Sequence, residues 1–196
     1  MKKTFQLLLA GLVLSLSACD DAPAPGGVKS EVQQAFDVNG LLAQEVDALA
    51  KQEVTVKKTV SKGGAAEETK TFKNLNWVEE LAPFSDADLN KPALVGLFNV
   101  EETTNSARQT VRRYTAKEDA DTYVEEAVYT FNPEGQLVQL DAIIRQDNVL
   151  FNTLKQLHLK FDPTAIPRLQ RYRLDETQKL LFMDQEMYGV TGEIIK

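Results

Sequence analysis

The segment 122–146 constrains this 196-residue chain more than any other. Val138, Leu140, Ala142 and Ile144 alternate with polar residues, which is the period of a strand with one buried face. Asn132-Pro133-Glu134-Gly135 precedes them and supplies the residue types of a tight turn between two strands. Before the turn, Glu125, Ala127, Tyr129 and Phe131 share one face, while Val124, Val128 and Thr130 share the other. A slip of one residue would turn every side chain over, so the turn that fixes the register also decides which face is core.

The same β texture runs from Leu94 almost to the last residue. Candidate strands are 94–104, 107–115, 122–131, 136–146, 149–161, 169–177, 179–183 and 187–194. The stretch 150–158 also fits a helical period, but its continuation Leu157-His158-Leu159-Lys160-Phe161 alternates as a strand does. Short connections force neighbouring strands to be antiparallel.

The first half of the chain has a different texture. Asp37 can cap a helix that runs to about Lys51, with Phe36 placed to staple onto Leu41. Val38, Leu42, Glu45 and Leu49 repeat at helical spacing, and Leu41, Val46 and Ala48 widen the stripe. Val54, Val56 and Val60, then Gly63-Gly64, then 68–72 read as a hairpin. A second helix is expected over 74–84, with Leu75, Val78 and Leu81 on one face and Trp77 as a core anchor. Pro83 ends it, and one short turn follows before Lys91-Pro92. The expectation is an α+β domain: N-terminal helices packed on a curved, largely antiparallel β-sheet of about seven or eight strands, a meander or half-barrel.

The chain starts differently again. Lys2 and Lys3 precede an apolar run from Phe5 to Leu16, interrupted by Gln6, Gly11 and Ser15. The small residues Ser17 and Ala18 follow, then Cys19, the single cysteine. A basic start, a short apolar core and a small-residue exit form the pattern of a secretory signal, and the run is too short to span a bilayer. Residues 20–29, rich in Asp, Pro and Gly, read as a flexible tether. The expected organisation is a signal over 1–18, an acylated cysteine and tether over 19–30, and one domain over 31–196.

Leu16-Ser17-Ala18-Cys19 resembles the lipobox of bacterial lipoproteins. The resemblance implies cleavage between Ala18 and Cys19 and a diacylglyceryl group on the Cys19 sulfur, with the new amino end often acylated too. Two or more acyl chains hold a protein stably at a membrane, where one holds it only marginally. With Cys19 acylated no thiol is left for a disulfide or for a cysteine-ligated metal. The full chain carries −7, and losing Lys2 and Lys3 with the signal takes it to −9. So acidic a domain is a poor match for nucleic acid.

Catalytic chemistry is sparse. His158 is the single histidine, with no second His or Cys to share a metal, so it reads as a surface or satisfied core residue. No phosphate loop, dinucleotide fingerprint or nucleophile elbow occurs. Glu67-Glu68, Glu79-Glu80, Glu101-Glu102 and Glu125-Glu126 are adjacent pairs. On a strand such neighbours point to opposite faces, so Glu125-Glu126 is no dyad. Glu118-Asp119-Ala120-Asp121 lacks the frame of a calcium loop. Arg108, Arg112 and Arg113 form one basic group and Arg168, Arg171 and Arg173 another; cross-strand pairing with acidic neighbours is the expected role of both. No cofactor, metal or catalytic residue is expected.

Phe36-Asp37, Val56-Lys57-Lys58-Thr59-Val60, Trp77 with Glu79-Glu80, Lys91-Pro92, and Gln178-Lys179-Leu180-Leu181-Phe182 with Tyr188 and Gly192 together resemble small uncharacterised lipoproteins of Bacteroidota-type bacteria. That resemblance implies a conserved-domain lipoprotein and carries no activity. The expected function is a membrane-anchored envelope lipoprotein that acts as a non-enzymatic binding or assembly module for another envelope component. The alternative is a carrier that holds an apolar or lipid ligand in a groove between helices and sheet. Asp20 after the cysteine resembles an inner-membrane retention signal of enterobacteria, whereas acidic residues there resemble a surface-export signal in Bacteroidota. The second resemblance favours the outer membrane.

Overall fold

The computed structural model describes residues 35–195. Helix α1 spans Val38–Lys51, and Asp37 caps it by accepting a 2.7 Å hydrogen bond from the Gly40 amide. Its buried stripe is Val38, Leu41, Leu42, Glu45 and Leu49, the helical spacing read from the sequence. The hairpin of β1 (Thr55–Lys62) and β2 (Ala65–Lys73) follows, turning through Gly63 and Gly64, both at positive φ. Helix α2, Trp77–Leu81, is capped by Asn76 and runs into a 3-10 turn over Ala82–Ala87, with a second such turn at Pro92–Leu94.

Seven strands complete the chain: β3 (Phe98–Thr104), β4 (Thr110–Ala116), β5 (Val124–Phe131), β6 (Leu137–Asp147), β7 (Phe151–Phe161), β8 (Leu169–Leu180) and β9 (Glu186–Ile195). Among the described residues, all nine strands join one antiparallel sheet in the order β2-β1-β9-β8-β7-β6-β5-β4-β3. The stretch from β3 to β9 is a meander, and the β1–β2 hairpin is added beside the last strand. The chain is thus more β-rich than the expected α+β balance, with one strand more than the upper expectation. The helix expected over 74–84 is α-helical for five residues, since Pro83 cannot continue the ladder. The strands expected over 169–177 and 179–183 are instead the single β8, and 181–185 form the β8–β9 turn. Residues 94–97 stay outside β3.

Two β-bulges correct the assignment of faces. Phe131 opposes Leu137 while Thr130 opposes Gln139, so Val138 is the extra residue and Leu137 takes its place in the core. Val124 opposes Ile144 and Glu126 opposes Ile143, so Glu125 is extra. Val124 therefore joins Ala127, Tyr129 and Phe131 on the buried side.

The helices cover one face of the sheet. Trp77, Leu81 and Phe84 are buried with Leu140, Leu159, Leu169 and Tyr172. Phe84 meets the Tyr172 ring edge-on at 6.0 Å, and Phe36 meets Phe131 at 5.6 Å. The Tyr172 ring occupies the space that a side chain at Gly192 would need, with ring carbon Cζ 2.0 Å from a Cβ built there. The Tyr172 hydroxyl donates to Glu80 Oε1 at 2.6 Å, and Lys58 Nζ lies 2.7 Å from the same oxygen, so α2 is bonded to β8 and β1. Burial and the Glu80 hydrogen bond both push the Tyr172 phenol well above its ordinary range.

Glu45, on the apolar stripe of α1, is buried. Its Oε2 accepts from the backbone amides of Arg168 at 2.8 Å and Leu169 at 2.9 Å, and its Oε1 from Arg168 Nε at 2.6 Å. One carboxylate so fixes the helix to the start of β8 and satisfies two amides left over at the β7–β8 connection.

Candidate functional site

The face of the sheet opposite the helices is polar. Because all pairs are antiparallel, directly opposed residues share a face, and the register lines them up in rows. Val128, Asp141, His158, Arg173 and Thr191 form one row across β5 to β9. Glu126, Ile143, Gln156, Asp175 and Gly189 form the next. Gln139, Lys160, Arg171 and Glu193 form a third on the other side. A hollow of about 450 Å³ lies among these rows, lined by Glu126, Asp141, Gln156, His158, Arg171 and Arg173, with Ile143 as an apolar side chain in its wall.

The charges of the hollow meet one another. His158 Nδ1 lies 2.6 Å from Asp141 Oδ1, and Gln139 Nε2 donates to Asp141 Oδ2 at 2.7 Å. Arg173 Nε donates to Asp175 Oδ2 at 2.5 Å, Arg113 lies 2.5 Å from Glu126, and Arg171 lies 3.5 Å from Glu193. Asp175 also lies over Gly189, where a Cβ would come within 2.5 Å of its Oδ1 and of Ser61 Oγ. Burial alone would raise the Asp141 carboxyl. The hydrogen bonds from His158 and Gln139 outweigh burial and hold it below the ordinary carboxylate range.

Cross-strand pairing, expected of both arginine groups, holds for Arg112, Arg113 and Arg171, whereas Arg173 pairs along its own strand and Arg168 pairs with a helix. Arg112 bonds its cross-strand partner Glu102 at 2.6 Å, Arg145 bonds Glu125 at 2.5 Å, and Arg168 bonds Glu45. Arg108, in the β3–β4 connection, stands apart from Arg112 and Arg113. Glu125 and Glu126 engage different arginines and form no dyad. Trp77 is buried under the helices. Ala18 and Cys19 lie outside the described residues. The Asp141–His158 pair was missed from sequence, because the two meet only through the β6–β7 register. The signal available was weak: an acid at an outward position of one strand and a lone histidine at an outward position of the next.

With Nδ1 held by Asp141, Nε2 is the His158 ring nitrogen left for a further partner. No hydrogen bond joins His158 to a serine, threonine or cysteine side chain among the described residues. Nor do three or more His, Cys, Asp or Glu side chains cluster there in a way that could hold a metal ion. The arrangement is suited to recognising a polar surface, with donors and acceptors fixed by a rigid sheet. No family model, curated protein or solved structure matches this chain.

The lowered pKa of Asp141 sets the direction of a pH effect. A carboxylate whose folded value lies below its unfolded value of about 3.9 stabilises the fold above that pH and ceases to do so as pH falls through the folded value. The parent is expected to lose stability in denaturant titrations as the pH falls below about 4, and Asp141→Asn to show a shallower acid limb. His158→Ala, which removes the partner, should flatten the limb in the same direction. Equal acid limbs in all three proteins would show that the pair is not coupled to folding.

Proposed function

We propose that this chain is a membrane-anchored envelope lipoprotein, held through acylated Cys19, that acts as a non-enzymatic binding module. It presents the open face of the sheet, around His158, Asp141, Arg171 and Arg173, to a polar surface of another envelope component. The observation that carries this reading is the hollow of about 450 Å³ on a face that no helix covers. The mutual neutralisation of its charges supports recognition over catalysis. The alternative, an apolar carrier between helices and sheet, is the weaker reading, because Phe84, Trp77 and Tyr172 fill that layer. Among the described residues no helix is long and apolar enough to cross a membrane. The outer membrane is the favoured location, on the resemblance of the mature domain to Bacteroidota-type lipoproteins, which decides between the two readings of the acidic residues after Cys19.

Two measurements test the reading. Cys19→Ser is expected to abolish acylation and the processing that follows it; fully lipidated Cys19→Ser protein in the membrane fraction would refute the anchor. A photo-crosslinker placed at Gln156, inside the hollow, is expected to trap a discrete envelope component in cells. One placed at exposed Val78 of α2 should trap none. Identical products from both positions would remove the open face as the binding surface.

A further inference from the structure

We propose that the paired tips of the β6–β7 and β8–β9 hairpins form a second membrane contact, inserting into the surface of a zwitterionic phospholipid bilayer. The inference rests on the lipid-anchor reading in one respect only, that the bilayer is close.

The two tips make a single patch. Phe151 opposes Leu180 at the end of the β7–β8 ladder, and the Leu181 amide donates to the Leu150 carbonyl at 3.1 Å. Val149 and Leu150 on one tip and Leu181, Phe182 and Met183 on the other are between 57 % and 93 % exposed. Single exposed apolar side chains are ordinary; five side by side at the end of a sheet mark a contact. The turns do not need them. Asn148 Oδ1 accepts from the Leu150 and Phe151 amides at 2.8 and 3.0 Å, and the Met183 amide bonds the Leu180 carbonyl at 3.2 Å. Polar residues would satisfy the same backbone bonds.

The form of the patch selects its occupant. Both tips lie beyond the last paired residues of the β7–β8 ladder, Phe151 and Leu180, with their apolar side chains exposed, which suits contact with a continuous apolar medium. Asp147, Asp184 and Glu186 flank the tips in sequence against Lys179, with Lys62 one strand away opposite Tyr188, so the rim is still net acidic. An acidic rim is repelled by anionic lipid and tolerated by zwitterionic headgroups, whose ammonium groups it can meet.

Reach allows the contact. Helix α1 starts at the opposite end of the strands, where Phe36 packs on Phe131 beside the β5–β6 turn. The tips lie one strand length away, 11 residues along β6 or β7, which is about 35 Å. The 16 residues 19–34 can extend to roughly 50 Å. A domain tethered through Cys19 can therefore lay its tips on the same bilayer, and the tether raises the local concentration enough for a weak contact to be populated. A second attachment would fix how the open face is presented.

The test uses full-length acylated protein carrying Phe182→Cys, labelled with an environment-sensitive nitrobenzoxadiazole dye, in phosphatidylcholine vesicles. Ser106→Cys, in the β3–β4 connection at the other end of the strands, is the control. The tip label is expected to be quenched by lipids with a nitroxide on the acyl chain and to lose most of its quenching by aqueous iodide. The control label should do the reverse. Adding Val149→Asp and Leu181→Asp to the Phe182→Cys protein should restore iodide quenching while the protein still floats with vesicles. Replacing part of the phosphatidylcholine by phosphatidylglycerol should weaken the protection. Iodide access equal to the control, protection that appears only with a second envelope protein, or deeper insertion on anionic lipid would each overturn the proposal. Loss of flotation alone would strike the Cys19 anchor; chain quenching that survives it would leave the tip contact standing.

Discussion

Glu45→Ala is expected to destabilise the domain by about 3–5 kcal/mol, the range for breaking a buried charged network by removing one partner. The carboxylate does three things at once. It accepts two backbone amides and one guanidinium nitrogen, and it does so from a position sealed beneath α1. Its loss leaves the buried Leu169 amide without an acceptor, which alone costs about 1–3 kcal/mol. It also leaves a cavity under the helix. Glu45→Gln keeps an oxygen for the amides but gives up the charge and the pairing with Arg168, so its cost should be intermediate. Denaturant unfolding followed by far-ultraviolet circular dichroism would rank the three proteins. An unchanged midpoint for Glu45→Ala would show that α1 is held by its apolar stripe alone.

Leu140→Ala should cost about 2–5 kcal/mol. Leu140 is 0 % exposed and sits at the centre of β6, with Tyr129 and Leu159 directly opposite on the two neighbouring strands. A hole there cannot be closed by a side-chain shift, because both neighbours are rings or branched chains held by their own ladders. That loss is a large share of the roughly 5–15 kcal/mol that holds an ordinary domain together. Val138→Ala serves as the control. It removes a similar side chain from the bulged position and should cost markedly less. If Val138→Ala proved the more damaging of the two, the bulge at this turn would be misplaced.

The contrast between Leu140 and Val138 shows what kind of information the sequence carries. The cap at Asp37, the α1 stripe, the Gly63-Gly64 hairpin and the strand character of β5 to β7 were legible, because each depends on residues a few positions apart. The two bulges were not. A single extra residue inverts the parity of a strand end, and no local pattern distinguishes Leu137 from Val138 as the buried one. Gln178 looked like a break between strands, yet pairing with β7 on one side and β9 on the other carries β8 straight through it. Glu45 was visible as a member of the apolar stripe. Its partners, more than a hundred residues away, were not. The same holds for the candidate site: the outward position of His158 could be read, but its meeting with Asp141 requires the β6–β7 register.

The seam between β1 and β9 has a consequence for how the molecule comes into being. Eight residue pairs, from Thr55 with Ile195 to Lys62 with Tyr188, join a strand near the start of the domain to one at its end. The meander can zip up through local turns, one hairpin after another, but the first hairpin has no place in the sheet until the last strand has arrived. Contacts so distant in sequence slow folding, because the loop must close before the pairing repays it. During synthesis β1 and β2 are made first and wait with an unpaired edge while the rest follows. The sheet is therefore complete only once β9 has paired with β1.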